Sequence, residues 1–335
     1  MTTRSLLVSA LAAASLFTAA CEKAGNKSSG ALGGDDVALL KQIPGDNVAL
    51  FGGNYMKMQD FMNTSFGKGM EDLTKAGAAA AGTEFKGDLH AYFSCFSSIK
   101  TMRMVAGLGL DNGMTMHMAL SGITLQQIKD CADKSQQKAT LDPDGKFLTI
   151  DAYAPGGNMP SAIGYLQVAG GALTMRMTMG LPGLGGIPKV AVASRADLEA
   201  DTAAAAKKSA ADDSALVSQL GKLDRSKTVW FAGSGKGTPL ATKLGDVSGT
   251  MDFGNGLTID TTVQLTDSKL VKQVDEGMAQ LKQMKDQIPP DFRSILDALK
   301  YDKSGDTVHF ALAVNDEQLG KLMKQMSGMA GMGMH

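Results

Sequence analysis

The feature that most restricts this chain is a pair of hairpin signals in matching positions of its two halves. Ile99–Leu110 and Met114–Ser121 flank Asp111-Asn112-Gly113, and Val247–Phe253 and Leu257–Thr266 flank Gly254-Asn255-Gly256. Alternation with period two sends successive side chains to opposite faces of a strand. Asn-Gly supplies the positive φ angles that a tight turn between two right-twisted strands requires. Each run is therefore expected to pair with its neighbour in an antiparallel ladder.

The surroundings of the hairpins repeat as well. Asn47–Gly53 (NVALFGG) follows LLKQI, and Thr228–Gly233 (TVWFAG) follows LVSQLGKL, so that each reads as a first strand behind a short amphipathic helix. A helix is expected after both hairpins, over 124–137 and 267–287, and then a second hairpin with turns at Asp142–Gly145 and Asp302–Gly305. The first half places a helical insert, Met56–Phe96, behind its first strand, and it closes on an additional hairpin around Gly170-Gly171. The second half lengthens its later helix through Pro289-Pro290, where proline must break it. The expected fold is α+β: two similar lobes from an internal duplication, each a hairpin-rich antiparallel sheet with helices on one face. The first lobe spans residues 35–212 and the second 213–326.

Cys95 and Cys131 form an even pair once Cys21 is set aside, and an exported chain would join them. The alternatives are two buried free thiols or half of a metal site. Methionine is abundant, 22 residues against 12 Phe and one Trp. Met102 and Met104, Met114, Met116 and Met118, and Met175, Met177 and Met179 recur at period two, which puts each set on one sheet face as core filler. A Met-lined cavity for an acyl chain, or a Cu(I) site, is the rival reading.

The N-terminus carries an address. Arg4 precedes a short apolar run, Leu6–Phe17, and Thr18-Ala19-Ala20 stands directly before Cys21. That is a secretory signal, residues 1–20, with its cleavage point on a cysteine. It resembles the signals of bacterial lipoproteins, which implies that Cys21 is acylated and becomes the lipidated N-terminus. Residues 21–34, polar and small, then read as a tether. Glu22, in place of the Asp associated with inner-membrane retention, favours the outer membrane. Thr228–Gly233 and Asp306–Val314 also resemble segments of duplicated lipoproteins of Gram-negative envelopes, a resemblance that implies no activity.

The C-terminus, Met323 to His335, resembles Met-rich copper-handling segments of bacterial envelope proteins. That resemblance implies Met326, Met329, Met332, Met334 and His335 as ligands for Cu(I). The other reading of residues 327–335 is a disordered tail. No resident cofactor is otherwise expected. The formal net charge of −1, with no basic cluster, argues against nucleic acid as a partner. Nucleophile elbow, Walker loop and HExxH are all absent. His117 and His309 alternate with apolar positions and read as surface-facing strand residues, and Asp142 and Asp144 read as turn residues. The expectation is a lipid-anchored, periplasm-facing envelope protein with a non-catalytic structural or protein-binding role, and an envelope protein or apolar ligand as partner. Carriage of a lipid in a Met-lined cavity, and copper handling through the tail, are the alternatives.

Overall fold

The computed structural model describes residues 32–54, 57, 64–65, 67–69, 95, 99, 102–110, 114–135, 137–151, 163–179, 191–235, 244–254, 256–287 and 290–321. The expected leader (1–20), Cys21, most of the expected tether and of the insert Met56–Phe96, residues 111–113, and the Met/His-rich C-terminus lie outside the described residues.

The first half begins with a helix, α1 (Gly34–Leu40), and a strand, β1 (Ala49–Asn54). The expected hairpin follows as β2 (Arg103–Gly109) and β3 (Met114–Ser121), and then comes α2 (Leu125–Lys134). Thr124 and Gln127 form a capping box at the start of α2, which satisfies orphan amides of its first turn. Two further hairpins are β4 (Ala139–Leu141) with β5 (Phe147–Ile150) and β6 (Ile163–Gln167) with β7 (Leu173–Met179). Gly145, Gly170 and Gly171 take the positive φ angles of their turns. A short β8 (Ala191–Val192) pairs with β7 and leads into α3 (Arg195–Lys207) and α4 (Ser214–Gly221).

The second half begins with α4, which precedes β9 (Val229–Ser234) as α1 precedes β1, and repeats the order with the hairpin β10 (Leu244–Asp252) and β11 (Gly256–Leu265), and α5 (Ser268–Gln283). A 3-10 turn follows. Pro290 then opens α6 (Pro290–Ala298), at the helix start where its missing N–H costs nothing. The hairpin β12 (Lys300–Ser304) and β13 (Thr307–Asn315) ends the half.

All these strands belong to one antiparallel sheet. Its order is β12-β13-β11-β10-β9-β1-β2-β3-β7-β6-β5-β4, with β8 beside β7. The α+β class is as expected, and the two halves meet where β1 pairs with β9. Phe51 stands opposite Phe231 at that seam, with ring centroids 6.4 Å apart. From the seam outward both halves read alike: β1-β2-β3-β7-β6 on one side, β9-β10-β11-β13-β12 on the other.

This corrects the matching of hairpins. The turn Asp142–Gly145 corresponds in chain order to Asp302–Gly305, but its hairpin, β4–β5, lies at the outer edge of the sheet. The additional hairpin β6–β7 takes the place beside β3 that β12–β13 takes beside β11. Ladder length explains the choice: β4 has three residues, whereas β7 matches β3 from Met114 to Leu120.

Helices cover both faces of the sheet, not one. Cross-strand neighbours share a face, so the register places Met104, Ala106, Phe51, Phe231, Thr261 and Ile259 on one side. That side, the methionine face, receives α2 on Leu120, Leu148 and Leu173. It also receives α5 on Leu265 and Val308, and α6 on Ile259 and Leu312. On the opposite face, α1 and α4 bury Leu39, Leu40, Leu216 and Leu220 against Leu50, Val105 and Trp230.

The edge strand β12 carries Lys300 and Lys303, charges that discourage further strand pairing. It is also tied inward through His309, whose Nδ1 lies 3.1 Å from Asp302 and whose Nε2 lies 3.0 Å from Asp260. Only the imidazolium donates from both nitrogens. Burial lowers the pKa of His309, but its hydrogen bonds to Asp260 and Asp302 outweigh that and hold it above the ordinary value of 6.5. A pKa raised on folding stabilises fully below the unfolded value and is lost as pH climbs through the folded one. The midpoint of urea unfolding is therefore expected to fall as pH rises from about 5.5 to about 8.5. The fall should be shallower in His309→Gln; an equal fall in both proteins would remove His309 as its source.

Candidate functional site

On the face opposite the methionines, α3 and the loop Pro44–Asn47 stand on either side of β3 and β7 and leave a cleft of about 450 Å³. Its floor consists of two cross-strand pairs, Thr115 opposite Thr178 and His117 opposite Arg176. One wall is Asp201 and Ala204 of α3, and the other is Asp46 and Asn47. Local sequence explains both walls. Ser194 and Asp197 form a capping box that starts α3. Gly107 lets the loop settle on β2, since a Cβ there would lie 2.4 Å from Asn47 Oδ1. The Asn47 amide donates to the Pro44 carbonyl at 2.6 Å, and Lys208 pairs with Asp46.

The charges of the cleft are engaged with one another. Arg176 Nη1 donates to both oxygens of Asp201, at 3.0 and 3.2 Å, and its Nη2 lies 3.2 Å from Asp197. His117 Nδ1 is 3.5 Å from Asp201. Asp197 is held below the usual carboxylate range by hydrogen bonds from the Ser194 amide and hydroxyl, with Arg176 adding to them. The Thr115 and Thr178 hydroxyls lie 3.5 Å apart. The arrangement is a clamp that fastens α3 to the sheet through one guanidinium and two carboxylates.

His117 thus departs from the surface reading. It stands opposite Arg176 under α3, its side chain 16% exposed. The signal was present in the sequence: Met116-His117-Met118 and Met175-Arg176-Met177 each set one polar residue between methionines, and alternation sends both to the same face. The partner Asp201 comes from a helix with no fixed phase relative to those strands and had no such signal.

Asp142 and Asp144 are turn residues, as expected. The Gly145 amide closes the turn on the Asp142 carbonyl at 2.9 Å, and Arg195 at the head of α3 reaches both carboxylates, at 2.9 and 2.6 Å. The hydrogen bond from Arg195 is the main cause that holds the Asp144 carboxyl below its ordinary range.

The methionines line the other side of the same strands. Met114, Met116 and Met118 stand opposite Met179, Met177 and Met175, and Met104 stands opposite Leu120. Met102 and Met175 are buried in the core with Ile99, Leu120 and Leu173. Met104, Met118 and Met177 pack against that core while half-buried; Met114 and Met116 are half-buried beyond it. Strand alternation separates these thioethers from the His117 imidazole by the thickness of the sheet. Among the described residues no group of three or more His, Cys, Asp or Glu is placed to hold a metal ion.

Cys95 and Cys131 are joined in a disulfide, with Cα atoms 5.4 Å apart. Cys21 and the proposed Cu(I) ligands Met326, Met329, Met332, Met334 and His335 lie outside the described residues. Among the described residues no helix is long and apolar enough to cross a membrane.

No family model and no curated protein matches the chain. Among solved structures it is similar to crystal form I of TP0453, at 8% identity and a TM-score of 0.45, with 86% of this chain and 96% of that one covered. It is also similar to crystal form III of TP0453, at 9% identity and a TM-score of 0.42, with 86% and 98% covered.

Proposed function

We propose that this chain is a lipid-anchored, periplasm-facing envelope protein with a non-catalytic, protein-binding role, and that the methionine face of β3 and β7 meets the partner. The observation that carries this reading is that Met104, Met114, Met116, Met118 and Met177, all incompletely buried, stand together on one face of a continuous sheet. Small apolar ligands bind in concavities that enclose them, whereas protein partners meet broad surfaces in which Met is enriched. The cleft on the opposite face is lined by paired charges and hydroxyls, which supports a structural part for it over carriage of an acyl chain.

A benzophenone side chain placed at Met116 tests the role in intact cells. Ultraviolet irradiation is expected to yield an adduct with another envelope protein, and much less of it from Gln264, an exposed position on the opposite sheet face. An adduct with phospholipid alone would replace this reading with that of a lipid carrier, and no adduct would end it. The anchor has its own test: Cys21→Ser is expected to abolish palmitate labelling and to release the protein from the membrane fraction. Equal labelling of both proteins would place the lipid elsewhere or nowhere.

A further inference from the structure

We propose that the half-buried thioethers of β3 and β7 form a site for one soft monovalent cation, Cu(I), built from Met116 and Met177 with Met114 as the third ligand. This inference stands apart from the protein-binding reading, because it depends on sulfur where that reading depends on apolar surface. It also differs from copper capture by the Met/His-rich tail, which uses other residues.

Three observations carry it. Met116 and Met177 are directly opposite in the antiparallel register. Opposed residues hold their Cβ atoms about 4.5–5.5 Å apart, so two flexible side chains of this length can close on one ion. Met114 shares their face one alternation away, and it lies with Met116 outside the filled core, where Met102 and Met175 are buried. Met116 and Met177 are half-buried, neither sealed in the core nor fully open to solvent.

Chemistry then narrows the ion. Neutral thioethers offer no charge to a hard divalent cation, and soft sulfur selects Cu(I). Among the described residues of β3 and β7, the polar ones, Thr115, His117, Arg176 and Thr178, are sent by alternation to the cleft side. The site would therefore discriminate against Zn(II) and Cu(II), which favour imidazole and harder donors.

Leucine matches methionine in volume and apolarity while removing the sulfur. Mature full-length protein, Met116→Leu/Met177→Leu, and a chain lacking residues 327–335 would each be titrated anaerobically with Cu(I) against a chromogenic chelator. Ag(I) would serve as a redox-inert control, and circular dichroism would establish that each variant is folded. The intact chain and the tail deletion are expected to share one equivalent of Cu(I) that the double leucine variant loses, or holds at least about tenfold more weakly. If the double variant fails to fold, Met114→Leu alone is expected to weaken that equivalent. The proposal is overturned if a folded leucine variant binds as the intact chain does, if deletion of the tail alone removes all binding, or if the intact chain takes up no Cu(I).

Discussion

Replacing Trp230 by alanine is expected to destabilise the protein by about 3–5 kcal/mol, a core-cavity cost. Trp230 is 3% exposed at the seam between the halves, in the core formed with Leu39, Leu40, Leu50 and Leu216. It stands opposite Gly52, and a Cβ on Gly52 would lie 1.8 Å from the indole Cζ2, so the ring lies flat over the glycine. On the other side of the Phe51–Phe231 pair the same exchange occurs in smaller form, with Leu50 opposite Ala232. Large faces small in both places.

That reciprocity makes a sharper test than either single change. Gly52→Ala alone is expected to cost at least about 1–3 kcal/mol by overpacking. Combined with Trp230→Leu, which copies the Leu50–Ala232 pair, it should recover part of that loss. Urea unfolding of the wild type, both single variants and the double variant measures the coupling. Additive losses would mean that Trp230 and Gly52 do not share the space assigned to them.

The second large effect comes from the disulfide. Cys131, 2% exposed on α2, is bridged to Cys95 across 36 residues, a loop that contains the whole β2–β3 hairpin. Closing a loop of that length removes enough unfolded-state entropy to stabilise by roughly 3–4 kcal/mol. Cys95→Ala/Cys131→Ala is expected to lose about that much, and the wild type unfolded in reductant to match it. A wild-type midpoint that reductant leaves unchanged would show that the bridge does not form. Reductant should leave the alanine pair unaffected.

What could be read from residues alone was whatever local spacing determines. Asn-Gly and Gly-Gly turns between alternating runs placed β2–β3, β10–β11 and β6–β7. Pro289-Pro290 placed the break between α5 and α6, and parity put the methionines of each strand on one face of it; the ladder register brought those of β2, β3 and β7 to the same side. Two cysteines, once Cys21 is set aside, named their own pairing. Each is a statement about neighbours within a few residues, or about residues whose chemistry leaves one partner, and each survives whatever the rest of the chain does.

Tertiary structure decided the rest, because it turns on which strand edges meet. Nothing local to β1 or β9 says that they pair with each other and make one sheet of the two halves. Nothing local to β4 says that it yields its place beside β3 to a later and longer strand. Apolar residues on both faces of the joined sheet then took helices on both sides, α1, α3 and α4 on one and α2, α5 and α6 on the other. The cleft is a product of that docking. Thr115, His117, Arg176 and Thr178 were aligned by alternation, but Asp201 reached them only when α3 packed across the sheet. Alternation alone divides a strand into two faces; what each face meets is decided by long-range packing, where the burial of apolar surface selects the arrangement.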